Sequence, residues 1–300
     1  MLNTDLSKAS YHLPGLFEFY EFYSRFLPIY REHREFFYEW CEIGSIYGAP
    51  ADCLWGGGRL SLGMADPDEV KKLMEEYGIS ARFTFSNSLL KEEHLSDGYC
   101  NELCRFFEDK NNGIIVASDL LLEYLKKNYP DYYLVSSTTK VITDFDELVK
   151  ETDRDEFRYV VPDFRLNRRL DQLKEMTAAQ KEKIEFLMNE CCDIGCKTRK
   201  QCYENVSRKN IEEDCPEFQC PYLKGEEGYR FSLAMKNPSF IGIDDITETY
   251  LPMGFRNFKI EGRGLGSALL LEFILYYMVK KEHQLELREM MYLDNMLDLF

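Results

Sequence analysis

The sequence predicts an α/β protein folded as a (β/α)8 TIM-like barrel, in which some units are allowed to be irregular. Three observations carry this prediction. Short runs rich in β-forming residues alternate with amphipathic stretches, eight such runs occur along the chain, and polar residues follow nearly every run. Strands that alternate with helices pair in parallel through crossover connections, and eight such units suit a closed barrel. An open doubly wound sheet is the rival architecture.

The predicted strands are short, and a long aromatic helix within residues 16–40 precedes them as an extra N-terminal element. Amphipathic stretches predict helices at 66–77, 90–107, 120–128, 144–150, 167–176 and part of 178–183, with an apolar helix starting near residue 267. The predicted strands are 42–47, 81–85, 113–117, 132–135, 158–161, 184–188, 240–243 and 257–260. Residues 1–300 are expected to form one barrel domain, with a cysteine-rich metal-binding insertion at 191–225 after the sixth predicted strand.

Composition narrows the class of protein. The 300 residues are 45% hydrophobic and 14% aromatic, which is enough to build a core. The net charge of −16 opposes general binding to nucleic-acid phosphates. A single RNA-binding site with locally clustered basic residues is still compatible with this charge. No signal peptide is recognisable at the N-terminus, and the most apolar stretch is too short to span a membrane. We therefore expect a cytoplasmic protein without a membrane partner, whose thiols stay reduced.

Polar residues behind the predicted strands supply candidate site residues. In the segment KIEGR, strand alternation places Lys259, Glu261 and Arg263 on one side of the chain, which in a barrel could face the mouth. The Arg263 fork can hold a carboxylate or phosphate, and Glu261 can orient neighbours or move a proton. These three residues and Glu190 are the catalytic candidates. The weaker candidates, for substrate binding, are Asn87, Asp163 and Asp244, although such residues often only cap the next helix.

Six of the ten cysteines lie between Cys191 and Cys220. In a reduced compartment this density favours a metal site over disulfides, and soft thiolates bind iron–sulfur clusters and zinc. The paired CxxC spacing of a zinc ribbon is missing, which favours a [4Fe–4S] cluster, with zinc and no metal as open alternatives. Cys191 is expected to face the barrel wall. The predicted ligands are Cys192, Cys196, Cys215 and Cys220, with Cys202 as the substitute.

Two segments resemble peptidase family U32. GFRNFKIEGR (254–263) is similar to that family's late-strand signature, and Asn189 to Cys192 is similar to the strand end that opens its cysteine-containing insertion. The two stand in the family's order, and the resemblance is strongest over 159–263. It departs from the family after KIEGR, where a basic helix is replaced by an apolar one. The resemblance implies a barrel, a [4Fe–4S] cluster on four cysteines, and oxygen-independent hydroxylation of an RNA base or a quinone precursor.

Three functions stay open on the sequence. The first is an iron–sulfur barrel enzyme that modifies a small molecule or an RNA base. The second is a non-catalytic subunit or scaffold with a structural metal, which would contact a protein partner through its aromatic N-terminal helix or its Met-rich C-terminal tail MMYLDNMLDLF. The third is a hydrolase, either the peptidase of the family name or a glycosidase using Asp244 and Glu261. No HExxH, GxSxG or Cys–His arrangement supports proteolysis, and the four histidines are expected to be surface or packing residues.

Overall fold

The computed structural model of the chain describes residues 8–58, 63–222 and 231–296. The strands of this part of the chain all run parallel in one sheet, in the order β6-β5-β4-β3-β2-β1-β8-β7. An isolated parallel bridge between Val160 and Ile184 joins the two outer strands and closes the sheet. The strands are β1 Ala9–Pro14, β2 Cys41–Gly48, β3 Ser80–Phe85, β4 Gly113–Val116, β5 Tyr133–Ser136, β6 Phe157–Val160, β7 Glu185–Leu187 and β8 Asn257–Lys259. The predicted (β/α)8 barrel is therefore confirmed.

Helices follow the strands and surround the barrel. Several begin at a side-chain cap: Asp66, Asp97, Ser118 and Asp144 each accept a hydrogen bond from a backbone N–H of the first turn. The helices are α1 Tyr20–Glu32, α2 Pro67–Tyr77, α3 Gly98–Phe107, α4 Asp119–Asn128, α5 Phe145–Thr152, α6 Leu170–Glu175, α7 Ala178–Lys183, α8 Arg199–Asn210, α9 Phe231–Ala234, α10 Ile243–Asp245, α11 Ser267–Met278 and α12 Gln284–Met296. In the described ranges, none of these helices has the length and apolar character needed to cross a membrane.

Two of the eight units differ from the sequence prediction. The first strand of the barrel is β1, which was not predicted, so the aromatic helix α1 is the ordinary connection from β1 to β2 and not an extra element. The predicted strand 240–243 is wrong, because Phe240 and Ile241 lie in a buried non-strand segment. The segment is apolar because it packs in the core. It is joined to the barrel by a hydrogen bond from the Ile241 N–H to the Met188 carbonyl. The cysteine insertion consequently follows the seventh strand instead of the sixth.

The insertion lies across the carboxyl end of the barrel. The Asn210 side chain of α8 donates to the carbonyl of Gly56 behind β2, and Asn87 behind β3 donates to the carbonyl of Ser207. Arg199, at the start of α8, pairs with carboxylates behind β6 and β7. Of the predicted insertion at 191–225, residues 223–225 lie outside the described residues.

Candidate active site at the carboxyl end of the barrel

One cavity of about 310 Å³ opens at the carboxyl ends of the strands. Its wall combines apolar side chains of the barrel interior with hydroxyls from the loops behind β3 and β5. The charged lining residues are Lys259 and Arg263, with Glu190 and Glu261. The other lining residues include Tyr47, Thr84, Ser86, Ile115, Ser137, Thr138, Thr139, Val161, Leu187 and Tyr203. The position matches the active-site end of (β/α)8 enzymes, and the size suits a small ligand.

Lys259 lies at the end of β8, on the floor of this cavity. Its Nζ is 3.1 Å from Glu185 Oε1 and 3.4 Å from the centroid of the Tyr47 ring. The Tyr47 hydroxyl in turn donates to the Ile260 carbonyl at 2.6 Å, which fixes the ring beside the lysine. Burial lowers the pKa of Lys259 to about 8, although the Glu185 carboxylate opposes this shift. The amine is therefore closer to its neutral form at physiological pH than an exposed lysine is.

A charged network fills the barrel interior next to Lys259. The Glu185 carboxylate receives Arg82 Nη1 at 2.5 Å and lies 3.4 Å from His12 Nε2, while His12 Nδ1 is 2.9 Å from Ser45 Oγ. Although burial alone would raise the pKa of Glu185, the surrounding cations hold it well below its usual range. Burial, with the help of Arg82, lowers the pKa of His12 to about 3, so the imidazole is neutral. The network fixes Glu185 as a carboxylate that faces the lysine.

Arg263 is held by the loop behind β2. Its Nη1 donates to Thr84 Oγ1 at 2.7 Å and its Nη2 donates to the Gly57 carbonyl at 2.8 Å, while Glu18 Oε1 lies 3.6 Å from Nη1. Gly57 has no room for a side chain, because a Cβ there would lie 2.4 Å from the backbone carbon of Ser86. Gly57 therefore lets the β2 loop approach the end of β3 closely and presents its carbonyl to Arg263.

Glu261 and Glu190 are positioned by reciprocal bonds between the ends of β7 and β8. Asn189 Nδ2 donates to the Glu261 carbonyl at 3.0 Å, and the Glu261 N–H donates to Asn189 Oδ1 at 2.7 Å. The buried Glu190 carboxylate accepts from the backbone N–H groups of Cys191 and Cys192 at 2.9 Å and from Arg199 Nη2 at 2.5 Å. The strand ends that carry KIEGR and the cysteine insertion are thus tied together at the cavity.

The three predicted substrate-binding residues lie in different places. Asn87 is buried and supports the Ser207 carbonyl of α8, and Asp163 is buried between Arg165 at 2.6 Å and Arg199 at 3.5 Å. Both lie under the insertion and neither lines the cavity. Asp244 is exposed in α10 behind the segment wrongly predicted as a strand, so the strand-end argument for it no longer applies. Of the predicted site residues outside the insertion, the cavity brings together Glu190, Lys259, Glu261 and Arg263.

The cysteines of the insertion form no disulfide, and neither do the other four, all ten lying in the described residues. Cys196 is buried, with its Sγ 3.8 Å from Thr198 Oγ1, and the Cys215 Sγ is 3.6 Å from Asn205 Nδ2. Cys192, Cys202 and Cys220 are partly exposed. The assignment of Cys192, Cys196, Cys215 and Cys220 as ligands, with Cys202 as substitute, stays a prediction.

Among the described residues, one group has the spacing to hold a single metal ion: Glu190, Cys191 and Glu261, with one donor atom each within 4.8 Å of the others. The Cys191 Sγ lies 3.9 Å from Glu261 Oε1, and Cys191 is exposed. The Cys191 side chain therefore lies at the mouth of the cavity. The prediction from sequence had placed it against the barrel wall. Ligands of one cubane cluster bind different irons, so the spacing for a single ion does not test a cluster.

Sequence reasoning missed the charged network of the barrel interior. Arg82 and Glu185 stand inside predicted strands and His12 in the unpredicted β1, and all three are buried. A charged residue within a β-type run was the available signal, because such a residue must either face solvent or be paired in the interior. The sequence predicts that the histidines are surface or packing residues, which agrees with the burial of His12. This prediction did not include the pairing of His12 with Glu185.

Comparison with known proteins adds one structural neighbour. No protein-family model matches the chain, and no curated protein matches it. The chain is similar to the solved structure of a U32 peptidase, with 14% sequence identity and a TM-score of 0.49 over 87% of this chain and 96% of that chain.

Proposed function

We propose that this chain is an enzyme that modifies a small molecule, or a single base presented by RNA, in the cavity at the carboxyl end of its barrel. The observation that supports this most is the meeting of Lys259, Arg263, Glu190 and Glu261 around one space of about 310 Å³. A purely structural barrel gains nothing from four ionisable groups around an open cavity, because desolvating charges is unfavourable. Ionisable residues that meet in a cleft, with a shifted pKa at one of them (Lys259), are typical of catalytic sites.

The four groups divide into binding and proton-handling residues. Thr84 and Gly57 fix the orientation of the Arg263 guanidinium, which can bind a carboxylate or phosphate of the substrate. Glu261 is half-buried at the mouth and can take or give a proton there. The apolar wall formed by Ile115, Val161 and Leu187 excludes water from the reacting group.

The cysteine insertion is proposed to bind a metal centre next to this cavity. The donor set fits, since six thiols that form no disulfide lie on one segment at the barrel mouth. The backbone near them is held in place: Asn237 donates to the Cys192 carbonyl at 2.8 Å, and Arg165 donates to the Cys196 carbonyl at 2.7 Å. Thiolates bind both [4Fe–4S] clusters and zinc, and the missing CxxC pairs of a zinc ribbon favour the cluster. When bound, a cluster would supply electron transfer or an open iron for substrate.

Oxygen-independent hydroxylation, which the resemblance to family U32 implies, is the reaction we propose for this centre. It is supported by the neighbourhood of the insertion and the cavity, because Glu190 lines the cavity and accepts the N–H groups of Cys191 and Cys192. One side chain therefore links the substrate space to the start of the cysteine segment. The role of a scaffold subunit has no comparable observation in its favour.

Purification without oxygen tests the proposal. We expect a brown protein with broad absorption near 400 nm and about four irons per chain. Cys196→Ala should lose the colour and the iron. Cys104→Ala is the matched control, because Cys104 is equally buried but lies on α3 in the core. Zinc without this absorption would contradict the cluster and retain a metal site, and protein without metal under these conditions would contradict both.

A further inference from the structure

We propose that Lys259 forms a Schiff base with a small carbonyl compound, an aldehyde or ketone, bound in the cavity. The inference rests on the proposed function in one respect, which is that the cavity is the active site. It adds a class of substrate and a covalent step that do not depend on the metal centre.

The position of the amine is the first argument. Lys259 Nζ lies on the cavity floor in an interior where the side chain is 7% exposed, so a bound carbonyl carbon can approach it while bulk water is kept out. A lysine acts as a nucleophile when it is desolvated or lies beside other cations, because both conditions favour the neutral amine. Both are met here, since Arg82 and Arg263 act on Lys259 together with burial.

The partners of the amine are the second argument. Glu185 Oε1, 3.1 Å from Nζ, holds the amine in place on the cavity floor and stays ionised, so the proton that the ammonium must lose goes to water. Glu185 keeps its negative charge through Arg82 at 2.5 Å, and His12 is the third group against it. The Tyr47 ring at 3.4 Å stabilises the positive charge that the amine carries before attack and that the iminium carries afterwards.

The step balances without an added oxidant or reductant. Before the carbonyl compound binds, the ammonium releases one proton to water. The nitrogen lone pair then forms a bond to the carbonyl carbon, and the carbonyl π pair moves to oxygen. That oxygen takes a proton, and after a second proton transfer it leaves as water while nitrogen forms the double bond to carbon. Overall, one ammonium and one carbonyl group give one iminium and one water. Glu261, which lines the same cavity at its mouth, is the group placed to protonate the oxygen.

Arg263 narrows the class of carbonyl compound. Its guanidinium lines the cavity two residues after Lys259, and its donors suit a carboxylate. A carbonyl compound that also carries a carboxylate can therefore engage both cations. Glyoxylate has both groups and is small enough for the cavity, which makes it a suitable probe, whereas acetaldehyde has only the carbonyl.

Reductive trapping tests the inference on the full chain. Protein incubated with glyoxylate and cyanoborohydride should gain the mass of one carboxymethyl group, and peptide mapping should place it on Lys259 before any other lysine. Lys259→Arg, which keeps the charge beside Glu185, should lose this adduct. Lys140→Arg is the matched control and should keep it, because Lys140 is also paired with a buried glutamate, Glu151, beside an aromatic ring but does not line the cavity.

Each outcome decides one proposal. Early labelling of Lys259 that is faster with glyoxylate than with acetaldehyde supports the Schiff base, and Arg263→Met should remove that preference. Labelling confined to exposed lysines overturns the inference, since a lysine that only stabilises the barrel is shielded from the reagent. If Lys259 is not labelled but the protein carries its cluster, the inference fails while the proposed function stands. If Lys259 is labelled in a protein without metal, the inference stands and the proposed metal centre fails.

Discussion

At the scale of single residues, His12 makes stability depend on pH. The imidazole is buried beside Glu185, Arg82 and Lys259, and its pKa falls to about 3 in the fold. In the unfolded chain the pKa is about 6.5. Between these values the unfolded chain binds one more proton than the folded chain at this site. The contribution of His12 to stability is therefore complete above pH 6.5 and is lost as the pH falls toward 3.

This leads to a prediction for His12→Asn, which keeps a polar group near Ser45 but does not titrate. For the wild type, the free energy of unfolding should fall by about 1.4 kcal/mol per pH unit below pH 6.5 through this one residue. The variant should show a flatter profile between pH 6.5 and 5 in denaturant unfolding. His33→Asn is the control, since the His33 ring is 37% exposed, and it should keep the wild-type slope. Equal slopes in wild type and His12→Asn would contradict the prediction.

The predictability of the site also differs residue by residue. Lys259, Glu261 and Arg263 were found from sequence because strand alternation puts every second side chain on one side, and all three line the cavity. The partner of Lys259 could not be found, because Glu185 belongs to another strand and their contact depends on the register of β7 against β8. Local patterns carry no information on which charge in one strand meets which charge in the next.

At the scale of elements, β1 and the segment 240–243 show the limit of reading strands from composition. In β1, Ala9, Tyr11 and Leu13 pack against the core between barrel and helices, while the alternate residues Ser10 and His12 face the barrel interior. The alternation of a strand was therefore present in the sequence, but it covers only a few residues. Phe240 and Ile241 are of residue types that are common in strands. They nevertheless lie in a buried segment that is not a strand and that packs against α11, for example through the contact of Phe240 with Tyr277. Burial and strand pairing favour the same residue types, so composition alone cannot separate them.

Arg199 forms the buried charged attachment of helix α8 to the barrel, beside the hydrogen bonds of Asn210 and Asn87. The guanidinium is 2.5 Å from Glu190 and 3.5 Å from Asp163, and it stacks on the rings of Phe164 and Tyr203. All the charged groups are buried. Breaking one side of a buried ion pair leaves a charge without compensation and costs about 3–5 kcal/mol. We therefore expect the loss of Arg199 to loosen the insertion over the cavity, even though the bonds of Asn210 and Asn87 remain.

Replacing Arg199 by Met tests that dependence while keeping most of the side-chain length. Amide hydrogen exchange should become faster across α8, because the helix detaches more often, while β3 and β4 keep their protection. Arg208→Met is the matched control on the same helix, since Arg208 is 47% exposed and its pair with Glu213 contributes at most about 1 kcal/mol. If both variants exchange alike in α8, Arg199 does not hold the insertion.

At the scale of the whole molecule, the closure of the barrel is uneven. From β6 through β1 to β7, each strand pairs with its neighbour along a ladder of residues. Between β6 and β7, the described residues show the isolated bridge of Val160 to Ile184. Each ladder bond lost on opening is unfavourable, so an opening at this place breaks the fewest bonds between strands. The outer pair of strands is thus the seam of the barrel.

The seam should be the first place where the barrel opens. In native-state hydrogen exchange under mild denaturant, amides of β6 and of the segment that leads into β7 should exchange through a local opening. Those of β3 and β4, which pair from Arg82 with Gly113 to Phe85 with Val116, should exchange only with global unfolding. The two groups should give different free energies of opening, with the lower value at the seam. Equal protection of both pairs would show that Val160 and Ile184 close the barrel as firmly as a full ladder does.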